Sequence, residues 1–160
     1  MFYTEAFSGS ELLLNLDSIP EDCVDASPLL TTLLVGRAGG SERLYVNIDR
    51  LQPGAKSCKF HKHSLQEEFF LVLRGHGTLR LEDMTYQVRP GSCFSKPAGR
   101  GIAHQFINTS DDVLEILDVG IPHPEDVIEY PDEKVTYRRA EKLVHRDGEP
   151  LSDWTSDPNP

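Results

Sequence analysis

Positive charge is scarce in this chain. Across 160 residues, 16 Lys and Arg stand against 26 Asp and Glu, a formal net charge of −10. A surface of that sign opposes phosphate backbones, so a general nucleic-acid partner is not expected. A small basic pocket inside an acidic shell remains compatible with the balance. No run of 18 apolar residues occurs, so no membrane-spanning helix and no membrane partner are expected. The first residues carry Glu5 and Glu11 but no positive side chain, unlike a secretory leader, and a cytoplasmic address is the expectation. Cysteine is limited to Cys23, Cys58 and Cys93 with no CxxC spacing, which reads as free thiols rather than a disulfide framework. Asn108-Thr109-Ser110 matches a glycosylation acceptor in form only. There is no GxSxG elbow, no separate Ser-His-Asp set and no phosphate loop.

What is present is a succession of short extended segments. Leu44, Val46 and Ile48 alternate with Tyr45, Asn47 and Asp49, so residues 43–51 read as a strand with one polar face. Further strands are expected over 68–74, 78–81, 85–89, 92–95, 104–108 and 113–119, separated by glycine, proline and acidic turns. The connections are too short for crossover helices, which implies antiparallel pairing in a sandwich or barrel. Residues 1–42 are expected to form an arm packing on this body, 43–120 its core, and 121–160 an acidic, proline-containing segment on the same domain. Within that segment, 135–144 suggests a strand and then a short helix, and Trp154 an anchor.

His61 and His63 lie two apart in an extended stretch, so their rings project to one side. Glu68 opens the next strand and can return beside them. Imidazole nitrogens with one carboxylate oxygen suit a borderline divalent ion such as iron, nickel, manganese or zinc. A lone HxH is also common on ordinary strands. A fourth ligand has four sources. His76 sits between two glycines, His123 and His145 lie in polar surroundings, and His104 opens an alternating strand, which makes it the best placed. Lys59 shares parity with the histidines and Arg100 precedes His104. Either would draw an anionic ligand inward, or else stay solvated at the rim. Cys93 reads as a small core residue.

These residues resemble the cupin superfamily. Its first motif, G(X)5HXH(X)3–4E(X)6G, is matched by Gly54, His61, His63, Glu68 and Gly75 with one extra residue after Gly54. Its second, G(X)5PXG(X)2H(X)3N, is matched by Gly91, Pro97, Gly99, His104 and Asn108 with two extra residues before His104. The resemblance implies an all-β, cupin-type antiparallel β-barrel, a double-stranded β-helix or jelly roll. It also implies one divalent transition metal (Fe, Ni, Mn or Zn) held by His61, His63, Glu68 and His104.

Burying three histidines and a carboxylate unpartnered is costly, and one ion would satisfy all four. The metal is then the only visible engine, with Glu68 also a candidate catalytic base. The resulting expectation is a small metalloenzyme, an oxygenase or isomerase, acting on a polar, oxygen-bearing small molecule. The competing reading is a non-catalytic sugar or small-acid binding protein. Phe69, Leu71 and Leu73 point away from Glu68, an apolar outer face that, with the resemblance, implies a homodimer.

Overall fold

The computed structural model describes residues 13–159. Its opening segment holds two single turns of 3-10 helix, Leu16–Ser18 and Glu21–Cys23. Then come β1 (Val24–Ala26), β2 (Leu30–Leu33), the short helix α1 (Val35–Ala38) and β3 (Tyr45–Leu51). The central stretch contains β4 (Lys62–His63), β5 (Glu67–Arg74), β6 (Gly77–Leu81), β7 (Met84–Val88), β8 (Cys93–Lys96), β9 (His104–Ile107) and β10 (Leu114–Ile121). It ends with β11 (Val127–Tyr130), β12 (Val135–Arg138), β13 (Leu143–Arg146) and β14 (Glu149–Pro150). The region 135–144, expected to pass from strand to helix, is instead part of the β12–β13 hairpin, pairing Val135 with Arg146 and Arg138 with Leu143. Residues 1–12 of the expected N-terminal arm lie outside the described residues.

Among the described residues the strands form three sheets. A six-stranded sheet runs β1-β2-β3-β10-β5-β8, a five-stranded sheet β14-β13-β12-β11-β4, and a three-stranded sheet β7-β6-β9. All strand pairs are antiparallel. Glu68, Phe70 and Val72 of β5 are buried while Glu67, Phe69 and Leu73 are exposed, the period-2 alternation of a half-buried strand. Phe70, Val72, Leu114 and Ile116 from the six-stranded sheet meet Leu79, Val88 and Phe106 from the three-stranded one, and this contact is the main core. Ile128, Tyr130 and Val135 form a smaller cluster with Trp154 packed against it.

The expected closed barrel or jelly roll is not what the strands build. Each sheet has two free ends, and none joins its first strand to its last. The physical reason lies in residues 52–61. Pro53 cannot donate to a ladder and Gly54 sits at φ +82°, so the stretch turns rather than pairs. Only isolated bridges remain there, Lys56 with Ile107 and His61 with His104. Continuous hydrogen bonding around a barrel is thereby interrupted beside the histidines.

One glycine shapes the pocket that follows. Gly120 lies opposite Tyr45 in the β3–β10 ladder. A Cβ there would fall 2.5 Å from the Tyr45 hydroxyl oxygen, so the bare backbone is what lets the ring lie flat across β10.

Candidate metal centre

The bridge between His61 and His104 sets two rings side by side. The His61 N–H donates to the His104 carbonyl at 3.3 Å, and the His104 N–H returns to His61 at 2.9 Å. His63 follows in β4, tied to Ile128 of β11. Each ring then has its proton placed by its neighbours. His61 Nδ1 lies 2.8 Å from the Lys59 carbonyl, which can only accept, so Nδ1 carries the hydrogen. His63 Nδ1 lies 2.6 Å from Asp126 Oδ2 and donates to that carboxylate. Asp126 is fully buried; burial alone would raise its pKa, but His63 and the N–H groups of Leu65 and Gln66 hold it below the usual range. Its Oδ1 accepts from the backbone of Ser64, Leu65 and Gln66.

Both Nε2 atoms are consequently lone-pair nitrogens, and they face each other at 3.0 Å. Two acceptors at that separation repel unless a positive centre lies between them. Two nitrogens bound at right angles and about 2.1 Å from one ion would themselves stand about 3.0 Å apart. Glu68 Oε1 is 3.5 Å from His63 Nε2. The ligand atoms of His61, His63 and Glu68 all lie within 4.8 Å of one another. The donor set therefore fits a divalent ion with N and O preference.

The electrostatics agree. Burial, then Lys96 and His63, bring the His61 pKa down to about 4. Burial also lowers His63, against the pull of Glu68 and Asp126. Neutral rings are the form that ligates metal. For Glu68, burial would raise the pKa, but Lys96 and the two histidines outweigh it and the group is held ionised. Lys96 Nζ reaches Glu68 Oε2 at 2.6 Å, while Tyr45 Oη and Gln66 Nε2 each donate to Oε1 at 3.0 Å.

These side chains open onto a cavity of about 310 Å³. Its lining also includes Tyr45, Asn47 and Asp49 of β3, Asp118 of β10 and Arg139. Burial raises Asp49 to about 6, against a 2.6 Å hydrogen bond from Thr32. Asp118 is raised well above the usual carboxylate range, by burial and then by Asp49 and Glu68. Arg139 donates to Gln66 Oε1 at 2.8 Å and is the guanidinium of the cavity wall.

Sequence and structure part company at some of the named residues. His104 lines the cavity, but its ligand atoms group with Cys58 and His61 rather than with His63 and Glu68. Lys59 pairs with Glu133 at 2.8 Å and lies 4.9 Å from the Trp154 ring centre, away from the cavity lining. Arg100 is exposed in its loop and likewise does not line it. His76 and Cys93 are exposed, and His123 and His145 also lie elsewhere. Four residues of the site carry no motif in the sequence: Lys96, Asp118, Asp126 and Arg139. Lys96 shares inward parity with Phe94 in β8, a readable signal. Asp126 and Arg139 sit in the acidic segment, where no pattern distinguishes them from surface charge. Cys58 also borders the cavity, with burial raising its thiol to about 12, so it stays protonated.

Comparison with known proteins places this geometry. The family model of the cupin domain matches residues 47–120. A solved sugar phosphate isomerase of the cupin superfamily from Silicibacter pomeroyi is 33% identical, with a TM-score of 0.76 over 88% of this chain and 97% of its own. A protein from Acidithiobacillus ferrooxidans, named as a candidate sugar phosphate isomerase, is 26% identical with a TM-score of 0.74 over 90% and 92% of the two chains. The auxin-binding protein T92 of Nicotiana tabacum is 29% identical over 147 residues, 84% of this chain and 76% of its own. The chain belongs to the cupin superfamily.

Proposed function

We propose that this cupin is a metal-dependent isomerase of a small sugar bearing an anionic group, a sugar phosphate above all. The observation that carries the metal is the pair of lone-pair nitrogens, His61 Nε2 and His63 Nε2, converging at 3.0 Å. The names of the two bacterial relatives support the substrate class, as does a polar cavity of about 310 Å³, room for a small polyol.

His61, His63 and Glu68 would hold one divalent ion, whose identity among Fe, Ni, Mn and Zn is open. When bound, such an ion polarises a substrate hydroxyl or carbonyl oxygen. The chain's own groups do the rest. Glu68, kept ionised by Lys96, is suited to ligation rather than to carrying protons. Asp49, raised by burial to about 6, is suited to taking a proton from one sugar carbon or oxygen, and Asp118, raised well above the usual carboxylate range, to supplying one to the next. Arg139, whose Nη2 is held by Gln66 Oε1 at 2.8 Å and lies 3.7 Å from Asp126 Oδ2, offers its remaining N–H donors to the anionic end. We also propose a homodimer, with Phe69 and Leu73, each 38% exposed, beneath the contact.

A second reading, a binding protein for a small carboxylate, is favoured by the name of the tobacco relative. One experiment separates the two. Manganese-loaded protein is incubated in deuterated water with a panel of aldose phosphates, ketose phosphates and aryl acetates. Isomerisation with solvent deuterium entering the sugar supports the first reading. Saturable binding of the acids without turnover of any sugar phosphate would replace it with the second.

A further inference from the structure

We propose that Lys96 keeps His104 out of the metal's ligand set and fixes it as a hydrogen-bond donor, Nε2–H, to an oxygen of the bound small molecule. The inference rests on the metal reading above and assigns His104 a different task from that of His61 and His63.

The argument is one of valence. An ammonium has three donors and no lone pair. Lys96 Nζ stands 2.7 Å from His104 Nδ1, so Nδ1 must be the acceptor. A neutral imidazole has one acceptor and one donor, which puts the proton on Nε2. That nitrogen then has no lone pair for a metal. His61 and His63 are the mirror case. Their Nδ1 atoms face the acceptors Lys59 O and Asp126 Oδ2, which leaves each Nε2 free. A carbonyl and a carboxylate make ligands of two histidines, and an ammonium makes a donor of the third.

Packing prevents an easy escape. His104 is 2% exposed and Lys96 3%. The His104 ring centre lies 4.6 Å from that of Phe70 and 5.9 Å from that of Phe94. Lys96 is itself anchored to Glu68 Oε2 at 2.6 Å, so one ammonium holds both a ligand carboxylate and the third ring. Spatial grouping agrees, since His104 falls outside the His61, His63 and Glu68 cluster. Its alternative neighbour is Cys58, whose protonated thiol is a weak ligand. His104 belongs to the cavity wall, where an N–H beside the ion would bind and orient a carbonyl or hydroxyl oxygen. This favours ligands with two adjacent oxygens, one for the ion and one for His104.

The test is a long-range ¹H–¹⁵N correlation of histidine-labelled protein, with and without zinc. Expected in the zinc form are His61 and His63 protonated at Nδ1 and metal-bound at Nε2, with His104 protonated at Nε2 and free of zinc. Zinc affinity by chelator competition should fall no more than about 10–100-fold in H104Q, the effect of a merely supporting residue, and well beyond about 100-fold in H61Q. In K96M the His104 proton should redistribute between its nitrogens. Zinc on His104 Nε2, a loss in H104Q equal to that in H61Q, or an unchanged tautomer in K96M overturns the proposal. If wild type binds none of zinc, manganese, iron and nickel, the metal reading falls separately. The tautomer of His104 in the metal-free protein still decides its role, and that spectrum needs no variant to fold.

Discussion

His63 Nδ1 and Asp126 Oδ2 meet at 2.6 Å across 63 residues of chain. The carboxylate comes from the acidic C-terminal segment and the ring from the HxH stretch. Their bond decides which nitrogen of His63 faces the metal position. The same carboxylate gathers the backbone N–H groups of Ser64, Leu65 and Gln66, so it also shapes the turn that carries Glu68 back to the histidines.

D126N should separate these two duties. The amide oxygen still accepts from the backbone, but its NH₂ group now faces His63 Nδ1 and favours the wrong tautomer. Metal affinity is expected to drop about 10–100-fold. Stability of the metal-free protein should fall by about 1–3 kcal/mol, as for a weakened buried hydrogen bond. Calorimetric titration with manganese, alongside urea unfolding, checks both. Unchanged affinity would show that Asp126 serves only the turn.

Asp49 supplies a pH signature. Its folded pKa is raised to about 6, above an unfolded value of about 3.9. A raised carboxyl gives its stabilisation below the unfolded value and loses it as pH rises through the folded one. D49N removes that loss while keeping an oxygen for Thr32. D49N should therefore exceed wild type by about 1–2 kcal/mol near pH 7.5, with the difference vanishing near pH 4; partial access to the cavity trims the full linkage value. Urea unfolding of both proteins at several pH values tests this. A difference that does not vary with pH would place its origin elsewhere.

Gly120 gives a purely steric test. G120A sets a methyl against the Tyr45 ring, the rigid backbone of β3 and β10 leaving the ring to move. Overpacking of this kind costs about 1–3 kcal/mol. Displacing Tyr45 also removes its 3.0 Å and 3.1 Å bonds to Glu68 and Asp118. G120S should behave alike, while Y45F/G120A should lose little beyond Y45F in metal affinity. A stable G120A with native affinity would contradict the close approach.

The parts of the fold that alternate were readable from sequence. The inward set Glu68, Phe70 and Val72 follows from period 2, as does the polar face Tyr45, Asn47 and Asp49. Closure was not readable, because alternation within strands says nothing of whether edges pair. It fails where Pro53 and Gly54 turn the chain. Lys59 misled because parity presumes a continuous strand. Between Ser57 and His61 there is none, and its side chain swings out to Glu133. Lys96 is visible in the sequence as a cation at an inward position of β8, in step with Phe94. Asp126 and Arg139 reach the site only through the β11–β12 hairpin, a long-range pairing that the local composition of residues 121–160 does not disclose.

The central claim is that His61, His63 and Glu68 together hold one divalent ion. The most direct measurement is metal stoichiometry on native protein, by elemental analysis after dialysis against manganese, iron, nickel or zinc in turn, repeated on H63Q. The account predicts close to one ion per chain for wild type with at least one of these metals, and only traces for a folded H63Q. Wild-type protein that is folded yet retains none of the four, or an H63Q that retains as much as wild type, would contradict it.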